Sequence, residues 1–99
     1  MGLLNVDLQE GFSNDTVSIR VDGTEVFSKK NVTTKQMIGL AESFTVQVPN
    51  GPFNLQLDVP MRNLKKVITL KMDNVLYLGI SIRGTDIEVI QSGKSFGYM

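Results

Sequence analysis

The sequence predicts an all-β domain, an antiparallel β-sandwich of seven to eight strands, and three observations support this. Apolar residues recur at every second position along most of the 99-residue chain, which is typical of strands with one buried face. Turn residues interrupt this alternation about every ten residues, the spacing found in sandwiches. The length suffices for one core, so residues 1–99 are expected to form a single domain. The core is expected over residues 3–92, with a loose tail at 93–99 unless Phe96 or Tyr98 packs.

The first strands are predicted from alternation and from one strong turn signal. Residues 4–8 and 17–21 each place apolar side chains on a single face. Asp22-Gly23 follows, and Asp-Gly favours a type I′ hairpin because both central residues of that turn need a positive φ. Pairing across a two-residue turn puts Val26 on the inner face of the third strand and Phe27 on its outer face.

The middle of the chain is predicted to hold a crossover and then a second hairpin. Thr33-x-x-Gln36 has the spacing of a capping box, which indicates either a short helical turn near 34–40 or an irregular crossover. Residues 44–48 and 53–59 then alternate cleanly on either side of Pro49-Asn50-Gly51-Pro52. Because proline has no N–H to close a two-residue loop, we expect a four-residue loop between these strands.

The last strands alternate in the same way. Residues 68–72 and 76–82 can share a face only if a three-residue loop joins them; otherwise they belong to different sheets. Gly84-Thr85, with glycine first, favours a type II′ turn. This turn is predicted to set Ile80 against Val89 on the inner face.

The order of these elements resembles PEGA-type and carboxypeptidase-regulatory-like modules over about residues 16–82. The order includes a Thr-rich loop after the first hairpin, and the similarity rests on Val21-Asp22-Gly23 and on Pro49-Asn50-Gly51. Those families are small transthyretin-like β-sandwiches with mostly structural or adhesive roles. The resemblance strengthens the sandwich prediction, and we expect an immunoglobulin-like or transthyretin-like architecture.

The amino-acid composition limits the catalytic and metal-binding chemistry that is possible for this domain. The chain has no histidine and no cysteine, so zinc ligands and thiolate nucleophiles are missing. The spacings of nucleophile elbows and phosphate-binding loops do not occur. We therefore expect no enzyme, no cofactor and no metal centre. A calcium site built by loop carboxylates is left open, and its candidate ligands are Asp15, Asp22, Asp58 and Asp73.

Charge and hydropathy exclude further partners. Ten basic and ten acidic side chains cancel to a formal charge of zero, which argues against nucleic acid binding. No stretch approaches the roughly 20 apolar residues of a membrane span. The chain also starts without the basic segment of a signal peptide, so as it stands we expect a cytoplasmic protein, or an exported one if a signal was removed. A basic cluster is typical of a protected edge strand; it comprises Arg62, Lys65, Lys66 and Lys71.

The outer face of the predicted central hairpin is a candidate glycan face. The predicted pairing sets Gln47 opposite Asn54 and Thr45 opposite Gln56. Amides and hydroxyls offer the donors and acceptors that a sugar-binding face uses. A solvated sheet face has the same composition, and this one lacks an exposed aromatic residue.

The last hairpin offers a candidate interface. Tyr77, Gly79 and Ser81 point away from the inner face, and Ile90 lies opposite Gly79. Phe27 would extend this surface if the two sheets bring it near. Contiguous exposed apolar area marks interaction sites. The leading prediction is a non-catalytic interaction or assembly module that contacts a protein partner or a second copy through this outer face, with carbohydrate binding as the alternative.

Overall fold

The computed structural model describes residues 1–97, and the predicted all-β class is confirmed. The elements in chain order are β1 (Gly2–Leu8), β2 (Asp15–Val21), β3 (Thr24–Val32), β4 (Glu42–Val48), β5 (Gly51–Val59), a 3-10 turn (Pro60–Arg62), β6 (Leu64–Met72), β7 (Val75–Arg83) and β8 (Asp86–Ser92). Phe96 in the tail is half-buried, whereas Tyr98 lies outside the described residues. Within residues 1–97, no helix has the length and apolar character needed to cross a membrane.

The strands form two four-stranded sheets. Sheet A has the order β4-β1-β7-β8, and sheet B has the order β3-β2-β5-β6. Pairing is antiparallel throughout, except that β1 and β7 run parallel. Because β1 and β2 lie in different sheets, this order differs from the constant-type immunoglobulin sandwich, whose first two strands share a sheet.

The core lies between the sheets, and the period of two in the sequence explains it. Alternate side chains of a strand point to opposite faces, so one apolar set per strand meets the facing sheet. Each such side chain contributes about 1.5–3 kcal/mol when it is fully buried. The largest fully buried side chains come from both layers and include Leu4, Leu8, Leu78 and Ile80 of sheet A and Ile19, Leu55, Leu57 and Met72 of sheet B.

The turns of the two short hairpins form as predicted, although the pairing beyond the first turn is shifted by one residue. Asp22 and Gly23 have φ values of 48° and 84°, the left-handed pair that a type I′ turn requires. At the second hairpin Gly84 has a φ of 63°, and the register sets Ile80 against Val89. Turn chemistry was therefore sufficient to position both loops.

The predicted central hairpin is wrong. β4 pairs with β1 in sheet A, whereas β5 pairs with β2 and β6 in sheet B. The Pro49–Asn50 link therefore passes from one sheet to the other. β4 and β5 still show the same alternation of inward apolar and outward polar residues, because the inner faces of both sheets enclose the same core. The link between β6 and β7 also changes sheets, which was one of the two alternatives predicted for it.

Residues 33–41 form an irregular crossover and not a helix. A turn at 36–39 is closed by backbone hydrogen bonds from Ile38 and Gly39 to the Lys35 carbonyl. Thr33 does not cap Gln36, because its hydroxyl accepts a hydrogen bond from the Asn14 backbone N–H at 2.9 Å. Among the described residues the helical turn lies instead at Pro60–Arg62.

Candidate functional site

Phe27 does not lie on the outer face where the sequence placed it. The β2–β3 pairing shifts by one residue beyond the turn, so Ile19 faces Phe27 instead of Val26. Such a bulge changes the face on which the following side chains lie. The Phe27 ring stacks on Phe44 of sheet A, with ring centroids 4.6 Å apart and planes at 13°. Phe27 thus joins the two sheets and is removed from the candidate interface.

Gly79 and Ser81 face outward on β7 but are buried. The Glu10 backbone N–H donates to Ser81 Oγ at 3.2 Å, and backbone hydrogen bonds from Gln9 to Ile80 and from Ile82 to Glu10 hold the segment after β1 alongside this part of β7. The Gln9 side chain covers Gly79 so closely that a Cβ there would lie 2.7 Å from Gln9 Nε2. Neither position is available to a partner, and the predicted interface is corrected accordingly.

Tyr77 and Ile90 remain on the outer face of sheet A, beside two apolar residues that the sequence analysis missed. Leu3 lies opposite Val75, Tyr77 is two residues further along β7, and Ile90 is diagonal to Tyr77. Diagonal neighbours on one face are within reach of large side chains. The exposed fraction is 45% for Leu3, 40% for Val75 and 46% for Ile90, and Tyr77 is half-buried. We call these four residues the apolar stripe.

Uncharged polar residues border the apolar stripe on its β4 side. Asn5 lies between Tyr77 and Thr45, and the Thr45 hydroxyl donates to Asn5 Oδ1 at 2.9 Å. Gln47 lies opposite Leu3. An apolar centre with a polar rim is the usual composition of a protein–protein interface. A leucine on the polar face of β1 was the signal for Leu3 in the sequence, whereas Val75 was hidden by its assignment to a loop.

The four residues of the predicted glycan face do not share a surface. Thr45 and Gln47 lie on the outer face of sheet A, and Asn54 and Gln56 lie on that of sheet B. These outer faces are on opposite sides of the sandwich. The Asn54 side chain also has a partner in its own sheet, since the Thr69 hydroxyl donates to Asn54 Oδ1 at 2.8 Å. The prediction failed because it required β4 and β5 to pair.

Asp15 is a buried carboxylate with a structural role. Only 3% of the residue is exposed. Arg62 Nε and Nη2 donate to its two oxygens at 2.9 Å each, and the Ser13 backbone N–H donates at 2.8 Å. Arg62 Nη2 also donates to the Gly11 carbonyl at 3.0 Å. The pair therefore clamps the β1–β2 loop onto the 3-10 turn, and Asp15 has no free face toward a metal or substrate.

A shallow pocket of about 320 Å³ opens between the β1–β2 loop and the crossover. Among its lining residues only Glu10 is titratable, and its carboxylate lies 3.8 Å from the Arg83 guanidinium. Thr34 in the wall is already engaged, because its hydroxyl donates to the Gln9 carbonyl and accepts from the Phe12 N–H. Glu10 is therefore the one titratable side chain that this pocket presents, and it is shared with an exposed ion pair.

Metal chemistry and comparisons with known proteins add no further site. Over residues 1–97, no three or more His, Cys, Asp or Glu side chains form a group that could hold a metal ion. The Asp22 carboxylate, one of the predicted calcium ligands, instead accepts a hydrogen bond from the Asn54 N–H at 2.8 Å. No protein-family model matches the chain, and no significant match was found among curated proteins or solved structures.

Proposed function

We propose that this domain is a non-catalytic interaction module that binds a protein partner through the apolar stripe. The observation that carries the proposal is the continuity of the stripe across β1, β7 and β8. Leu3, Val75 and Ile90 are each at least 40% exposed and share one sheet face with Tyr77, and contiguous exposed apolar area of this kind marks interaction sites.

The energetics suit a protein partner. Completing the burial of a half-exposed leucine, valine or isoleucine contributes roughly 1 kcal/mol, about half the value for full burial. Leu3, Val75 and Ile90 would therefore supply a small apolar centre beside Tyr77, whose residue type is enriched among interface hot spots. On the β4 side the rim of Asn5 and Gln47 is uncharged, which keeps the desolvation cost low there, whereas Glu88 lies two residues from Ile90 on the same face of β8. Glycan binding has less support, because the four residues predicted to form one glycan face lie on the outer faces of two different sheets.

The test places a photoreactive amino acid at Ile90 and, as the matched control, at Val67. Val67 is also apolar and 57% exposed, but it lies on the outer face of sheet B. In the native cell we expect a discrete crosslinked adduct from position 90 and none of the same mass from position 67. Mass spectrometry then identifies the partner for work with purified components.

With the purified partner, Ile90→Lys should weaken binding at least about tenfold, a loss of roughly 1.4 kcal/mol. Val67→Lys should leave the dissociation constant unchanged. Equal adducts from both positions, or binding that survives both Ile90→Lys and Val75→Lys, would overturn the proposal.

A further inference from the structure

Each sheet ends in two edge strands, and three of the four edges carry features that block pairing with another chain. Bulges, lysines and inward-pointing charges are the usual devices. β3 has the bulge near Phe27 and the consecutive lysines Lys29 and Lys30. β6 presents Lys65 and Lys71 on its exposed face. Antiparallel self-pairing of β6 about its centre would bring these two positions together as like charges.

The β8 edge is blocked from the neighbouring sheet. Lys66, which lies on the inner side of β6, donates from Nζ to the Ile87 carbonyl at 2.8 Å. Its ammonium is also 3.8 Å from the Asp86 carboxylate. A backbone acceptor of β8 is thus already used, and Glu88 and Asp86 add negative charge along the strand.

β4 differs from the other three edges. Its pairing with β1 runs over seven residues without a shift, and it contains no lysine, proline or glycine. Its only charged residue, Glu42, is at the end of the strand and is neutralised by Lys29 at 2.6 Å. The inner side chains Phe44 and Val46 remain half-buried because no further strand covers them.

We propose that the β4 edge is a homodimerisation site, at which two copies pair antiparallel about a two-fold axis near Thr45. This register is self-complementary. Phe44 of each copy lies opposite Val46 of the other, Ser43 lies opposite Gln47, and Thr45 lies opposite itself. The two Glu42 carboxylates fall at opposite ends, about 20 Å apart at 3.4 Å per residue.

Several features favour a second copy as the occupant. The zero formal charge of the chain removes long-range repulsion between copies. β-Branched and aromatic residues dominate β4, and aromatic–β-branched cross-strand pairs contribute about 0.2–1 kcal/mol each. A single added strand pair buries little area, so the dimer is expected to be weak and to depend on concentration. Pairing would join two A sheets into one eight-stranded sheet and present the apolar stripe twice. It does not depend on what that stripe binds.

The first experiment is a crosslinking test on the full chain. Thr45→Cys places a single thiol on a chain without cysteine, and the proposed register brings two such positions to a Cα separation of about 4.5–5.5 Å, within the range of a disulfide. Thr69→Cys is the matched control, because Thr69 is also an exposed edge-strand threonine whose hydroxyl donates to a neighbouring asparagine. Under mild oxidation, Thr45→Cys should form covalent dimers several times faster than Thr69→Cys.

The second experiment measures association by sedimentation equilibrium from about 10 µM to about 1 mM, a range that covers weak dimers. The native chain should dimerise, and Thr45→Lys should raise the dissociation constant at least about tenfold, while Thr69→Lys should not. A mixture of Thr45→Lys and Thr45→Glu should recover the dimer. A native chain that stays monomeric, or equal crosslinking by both cysteine variants, overturns the proposal. A dimer abolished by Ile90→Lys but kept by Thr45→Lys also overturns it and assigns self-association to the apolar stripe.

Discussion

Replacing Arg62 with methionine should lower the free energy of unfolding by about 2–3 kcal/mol. The variant keeps most of the length of the aliphatic stem and removes the guanidinium. Asp15 would then be left as a buried carboxylate whose remaining contact among the described hydrogen bonds is the Ser13 N–H. The Gly11 carbonyl would lose its arginine donor as well.

The magnitude follows from burial on the two sides of the pair. Hydrogen bonds to charged groups contribute about 1.5–3 kcal/mol, and breaking a fully buried ion pair costs about 3–5 kcal/mol. The Asp15 side chain is only 4% exposed, but that of Arg62 is 32% exposed. Water can therefore reach part of the space that the guanidinium leaves. The expected loss of unfolding free energy is then about 2–3 kcal/mol, at or below the lower end of the range for breaking a buried ion pair. For a domain of about 100 residues the loss corresponds to a fall in Tm of roughly 10–20 °C.

Thermal and urea unfolding followed by circular dichroism measure this loss, with Arg83→Met as the control. The Arg83 side chain is 55% exposed and lies 3.5 Å from Glu88 and 3.8 Å from Glu10. Exposed pairs of that kind contribute about 0.2–1 kcal/mol. A loss below about 1 kcal/mol for Arg62→Met, or equal losses for both variants, would refute the reasoning.

Three further predictions concern packing and edges. Gly11→Ala should prevent folding, because a Cβ would lie 2.1 Å from a backbone carbonyl oxygen at a φ of 89°, whereas Gly84→Ala, in open space, should cost about 1–2 kcal/mol in thermal melts. A double-mutant cycle of Phe27→Leu and Phe44→Leu should give a coupling energy of about 0.5–1.5 kcal/mol, and additive effects would argue against the ring stack. Lys66→Met should change the free energy of unfolding by less than about 1 kcal/mol and should lower solubility in light-scattering assays, and unchanged solubility would contradict its role at the edge.

The faces of the strands could be predicted from the sequence, but the assignment of strands to sheets could not. Alternation places Leu55 and Val46 correctly as inward residues, since both sheets enclose one core. Because strands of either sheet show the same alternation, the pattern does not indicate to which sheet a strand belongs. Pro49-Asn50-Gly51-Pro52 has turn chemistry that serves a hairpin and a link between sheets equally well. In contrast, a type I′ turn needs positive φ at both central residues, and Asp-Gly is one of the few dipeptides that meet this requirement. Asp22-Gly23 is therefore a more specific signal for a tight hairpin.

The candidate interface was predicted in part, for a related reason. Tyr77 and Ile90 follow from the Gly84 hairpin, whose register was correct. Burial of Gly79 comes from Gln9, which is distant in sequence and carries no local signal. The one-residue shift that turns Phe27 toward Phe44 likewise has no signal in the Asp22-Gly23 turn that precedes it.

The parallel pair of β1 and β7 determines the order in which this chain can assemble. Leu8 of β1 lies opposite Ile80 of β7. The first strand of the domain to be synthesised therefore cannot complete its pairing in sheet A until one of the last strands has been made. Such distant pairings slow folding, because the entropy of loop closure is lost before any contact offsets it. During translation Leu4 and Val6 would remain uncovered on the β7 side until the ribosome has released nearly the whole domain. β1, although it is made first, is therefore among the last strands to have its pairing in sheet A completed.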